Sequence, residues 1–73
     1  MEIAMTTFKA LIGNAGNGDP LFLQEFPRGT QFESGQLLYL KEGTYLIQEI
    51  EPAGHDINDE DYILDIWCYF QGA

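Results

Sequence analysis

Apolar residues recur at every second position through most of this chain, the period of a strand that shows alternate side chains to opposite faces. The densest run is Tyr62-Ile63-Leu64-Asp65-Ile66-Trp67-Cys68-Tyr69-Phe70. On strict alternation Tyr62, Leu64, Ile66, Cys68 and Phe70 form one wholly apolar face, and Ile63, Asp65, Trp67 and Tyr69 the other. Both faces need cover, so the run reads as a central strand. Thr6 to Ile12 alternates in the same way, with Phe8, Ala10 and Ile12 on the side to be buried. Leu21 to Phe26 resumes the pattern until Pro27, which cannot donate a ladder hydrogen bond. Gln36 to Leu40 and Thr44 to Glu51 make a hairpin about Lys41-Glu42-Gly43, and Thr30 to Glu33 is a further short candidate. In the hairpin's second arm Tyr45 and Ile47 share a face with Glu49 and Glu51, which predicts burial at its start and projection into solvent at its end.

Between these runs the chain is punctuated for turns. Gly13 to Pro20 concentrates Gly and Asn, and Asn17-Gly18 favours a hairpin-type turn. Asn58 is a good N-cap with Asp61 three residues on, which predicts one helical turn at 58–62. Nowhere does an apolar period of 3.6 persist for ten positions. The expected fold is all-β: a small antiparallel five-stranded sheet, strongly curved or closed into an SH3/OB-like barrel, because closure hides edges and covers both faces of the last strand. Residues 1–73 make a single domain, with residues 1–5 a disordered extension before the strand pattern begins at Thr6.

Composition narrows what such a domain does. A chain of 73 residues buries only roughly 60% of its extended surface, and small domains commonly add a disulfide, a metal or a partner subunit. Cys68 is the only cysteine and His55 the only histidine, so neither an internal disulfide nor a Cys/His zinc quartet is available, and no cofactor or metal is expected. Association with itself or with a partner is the supplement left open. Twelve Asp and Glu face three Lys and Arg, a net charge of -9, which repels phosphate backbones and anionic membranes. A basic protein is therefore the expected partner, with no direct binding to nucleic acid or membrane. No secretory signal pattern or 18-residue apolar span occurs, so the expected location is the cytoplasm.

Candidate chemistry is sparse. The Gly13–Gly18 stretch has the order G-x-x-G-x-G without the Lys and Ser or Thr of a phosphate loop, and it reads as a connection. Asp56 to Asp61 begins like a calcium loop, but Asp61 and Trp67 stand where the required Gly and Glu belong. His55 beside Asp56 offers a base and its orienter without a nucleophile, Ser34 lacks the strand-turn-helix elbow, and Cys68 sits on an apolar face that makes a thiol inert. A non-enzymatic role is expected.

Two features remain informative. Ile63, Trp67 and Tyr69 are an aromatic and apolar surplus on the second face of the last strand, and Trp and Tyr are typical interface anchors. Seven of the twelve acids fall between residues 49 and 65, among them Glu49, Glu51, Asp59, Glu60, Asp61 and Asp65. Together these residues make the expected partner-binding set of a small acidic protein-binding module, in which self-association is also open. The alternative is a nucleic-acid mimic: same-face carboxylates about 6.6 Å apart along a strand approach the spacing of successive phosphates. The chain is similar in size and charge to small inhibitors that block restriction, repair or CRISPR enzymes in this way, and it carries no family motif.

Overall fold

The computed structural model describes residues 6–73. Among these the chain forms five strands: β1 (Thr7–Asn14), β2 (Pro20–Pro27), β3 (Leu37–Leu40), β4 (Gly43–Pro52) and β5 (Tyr62–Gly72). They join into one sheet of order β2-β1-β5-β4-β3. The β1–β2, β3–β4 and β4–β5 pairs are antiparallel, whereas β1 and β5 run parallel, so the sheet is mixed and not wholly antiparallel. β5 lies at its centre, as a run that needs cover on both faces demands. No helical turn forms at 58–62: the segment closes instead with a turn in which the Tyr62 amide donates to the Asp59 carbonyl, 3.2 Å. Residues 30–33 form no strand. The expected extension at residues 1–5 lies outside the described residues.

The sheet curls about a single core. Phe8, Ala10 and Ile12 of β1, Phe26 of β2, Leu38 of β3, Tyr45 and Ile47 of β4, and Ile66 and Cys68 of β5 pack together on the concave face. A flat sheet would hold β2 and β4 about 14 Å apart, three strand spacings. Yet the Phe22 ring on β2 reaches the Tyr45 ring on β4, with centroids 6.2 Å apart, so the sheet is bent into an open half-barrel. Phe32, from the segment between β2 and β3, closes the end of this trough against Phe26 at 4.9 Å and Phe8 at 6.4 Å. Burying each such aliphatic or aromatic side chain is worth about 1.5–3 kcal/mol.

Three irregularities in β4 and β5 break the simple alternation. The register slips by one residue at Ile63, at Gln48 and at Gln71, each a bulge that leaves one residue unpaired. The first puts Tyr62 on the face of Asp65, opposite Leu64 and Ile66, and outside the core cluster. The second returns Ile50 to the core and carries Glu49 and Glu51 to the opposite face from Tyr45 and Ile47, which had been expected to share theirs. Near the third, Phe70 leaves the core and is 58% exposed, although its ring still meets Tyr45 at 5.3 Å.

Candidate functional site

Four of the expected residues, Glu49, Glu51, Trp67 and Tyr69, meet on the convex face of the sheet. Across it Trp67 of β5 pairs with Gly13 of β1 on one side and with Glu49 of β4 on the other. A Cβ on Gly13 would lie 2.3 Å from the Trp67 ring, so the indole lies against the bare backbone of β1 and is half-buried there. Glycine in a strand interior serves this kind of close approach. The β1–β2 connection supplies a wall: Gly18 turns with φ +78°, Asn14 Oδ1 accepts from the Gly16 amide at 2.8 Å, and Asn17 Oδ1 from the Asp19 amide at 2.9 Å. Ala15, Gly18, Gln48, Glu49, Glu51 and Trp67 line a groove of about 270 Å³.

Glu49 and Glu51 stand side by side at this groove, both exposed. The Glu51 carboxyl is held above the usual carboxylate range by its hydrogen bond with Glu49, then by desolvation and by the charges of Glu49 and Asp65. Neither the Lys9–Asp59 ion pair nor the His55–Asp65 contact involves either glutamate. Further along β5, Tyr69 is 42% exposed on the same face and pairs with Leu46, which in turn pairs with Leu37 of β3. Tyr39, two residues from Leu37, is 74% exposed at that edge.

Asp65, expected at the partner surface, is instead buried at 3% exposure. The bulge at Ile63 turns Tyr62 to its side, and the 53–61 segment folds back over it. Tyr62 Oη donates a hydrogen bond to Asp65 Oδ1, and the Gly54 amide donates to Oδ2 at 3.2 Å. His55 Nδ1 lies 3.2 Å from the same Oδ2, and the His55 amide donates to Tyr62 Oη at 3.2 Å. A buried carboxylate costs several kcal/mol unless its lone pairs are met, and here they are. Burial, and then the Asp65 hydrogen bond, raise the Tyr62 phenol above its ordinary value and keep it protonated as a donor. His55 is thus oriented by Asp65, not by its sequence neighbour Asp56.

The other expected residues separate from the groove. Asp59 pairs with Lys9 at 2.7 Å, and this hydrogen bond, followed by that of the Asp61 amide, lowers its carboxyl below the usual range. Asp61 is half-buried, and its carbonyl accepts from the Lys9 amide at 2.7 Å. Glu60 and the exposed bulge residue Ile63 border a second groove of about 420 Å³ beside Thr7 and Arg28. His55 lines neither groove. Ser34 Oγ donates to the Gln48 carbonyl at 2.7 Å, and burial pushes the Cys68 thiol up to about 11. Among the described residues no three His, Cys, Asp or Glu side chains are grouped to hold a metal ion, and no helix is long and apolar enough to cross a membrane.

Fold and face together define a small mixed β half-barrel with an aromatic and acidic convex surface. Comparison with protein-family models, curated proteins and solved structures finds no significant match.

Proposed function

We propose that the protein is a non-enzymatic binding module that docks a basic protein on the convex face of β4 and β5. Trp67 and Tyr69 are its anchors, Glu49 and Glu51 its acidic rim, and the exposed Leu37 and Tyr39 extend the apolar part to the β3 edge. The observation that carries this reading is the register slip at Gln48, which sets both glutamates beside Trp67, where strict alternation would have put them on the core face with Tyr45 and Ile47. An aromatic centre with a polar rim is the usual anatomy of a protein interface. Two copies of a chain of net charge -9 repel each other, which favours a basic partner over self-association. A cytoplasmic setting, where a lone thiol stays reduced, belongs to the same reading.

The nucleic-acid-mimic alternative draws on the same glutamates but loses two members of its row, since Asp65 is buried and Asp59 is neutralised by Lys9. Affinity capture from the native host, repeated with Tyr69→Ala and with Glu49→Lys/Glu51→Lys, tests both. The binding-module reading expects one basic protein to be retained by the wild type and lost with Tyr69→Ala. Retention by Tyr69→Ala with loss on charge reversal and in high salt supports the mimic. Retention by all variants overturns both.

A further inference from the structure

Of the surfaces on the molecule, the 270 Å³ groove between the β1–β2 turn and Gln48 is the one with a definite chemical preference. Its floor is an indole held in place by Gly13, and its rim carries two carboxylates that no cation of an ion pair among the described residues neutralises. Its volume falls below the roughly 300–1,000 Å³ of small-molecule sites, which suits a single side chain better than a nucleotide or cofactor. A planar guanidinium meets both kinds of wall at once: it stacks on an aromatic face and hydrogen-bonds carboxylates through its fork of N–H donors. A lysine ammonium is more strongly hydrated and has no flat face to stack.

We propose that this groove is an arginine-binding site, receiving one arginine side chain of the basic partner against Trp67 with its guanidinium between Glu49 and Glu51. The assignment rests on the binding-module reading and names the group that the face selects. The rise of the Glu51 carboxyl, caused first by its hydrogen bond with Glu49 and then by desolvation and the neighbouring charges, accords with it, since it shows the two carboxyl groups close enough to face one cation.

Trp67 is the only tryptophan in the chain, so its emission reports directly on the groove. The probe is N-acetyl-arginine amide and a short arginine-containing peptide, titrated into the full chain at low salt. N-acetyl-citrulline amide and the lysine version of the peptide are run beside them. The expected result is a saturable change in Trp67 emission with the arginine probes, absent with citrulline, weaker with lysine, and weakened about tenfold by Glu49→Gln/Glu51→Gln. Both glutamates are exposed, and a circular-dichroism melt of the variant checks that it folds. No saturable change, an equal response to citrulline or lysine, or full binding by the folded double variant each overturns the proposal. Such a failure leaves the docking face itself standing if Tyr69→Ala still abolishes partner capture, whereas partner capture that ignores the face while arginine binds the groove removes the module reading alone.

Discussion

Asp65 is the residue at which local chemistry is most constrained. Its buried carboxylate depends on Tyr62, Gly54 and His55 together, and they fasten the 53–61 segment to the sheet. Tyr62→Phe keeps the ring but leaves one carboxylate oxygen without a donor, a loss of about 1–3 kcal/mol. Urea denaturation should show a lower midpoint with an unchanged slope; a midpoint equal to the wild type would mean that water replaces the phenol. Glu51 gives a pH signature of the opposite kind. Its folded-state value is raised, so the folded chain takes up this proton before the unfolded chain does as pH falls. Ionised Glu51 therefore opposes folding above its folded value, and the penalty disappears on acidification through the carboxylate range. Glu51→Gln should raise the thermal midpoint at neutral pH, and the gap to wild type should close as both are acidified.

At the level of elements, the sheet is organised by where strands slip. The five strands, the hairpin about Gly43 and the central place of the Tyr62–Phe70 run follow from period-two patterning and turn residues, and these are legible in the sequence. The bulges were not, because a one-residue slip is decided by the partner strand and reverses every side chain beyond it. This is why Tyr62 and Asp65, three apart and assigned to opposite faces by alternation, come together, and why Glu49 and Glu51 part from Tyr45 and Ile47. The parallel β1–β5 pairing was equally hidden, since strand direction leaves no trace in composition. Gly13 reads in the sequence as the start of the connection, whereas it continues β1, and its meaning needed Trp67 beside it. Gly13→Ala should displace the indole from β1, costing about 1–3 kcal/mol as an overpacked contact does. The same variant should shift Trp67 emission in the folded state, and unchanged emission would show that the ring does not depend on the glycine.

For the molecule as a whole, charge is the dominant property. A net charge of -9 on one small half-barrel sets the folded state against itself, since twelve Asp and Glu outnumber three Lys and Arg. Raising ionic strength from about 0.01 M to about 0.15 M shortens the screening length from about 30 Å to about 8 Å. The thermal midpoint should rise with sodium chloride, by roughly 4–8 °C for each kcal/mol gained in a domain of this size. A midpoint that fell with salt would assign the net electrostatic balance to favourable pairs such as Lys9–Asp59. The parallel seam between β1 and β5 has a further consequence, in the order of synthesis. The β1–β2 and β3–β4 hairpins can close as soon as each has left the ribosome, but they share no edge until the strand between them arrives. Until then β1 carries its inner edge and half of the core uncovered. The newborn chain therefore waits as two separate halves, and the fifth strand joins them in one long-range step.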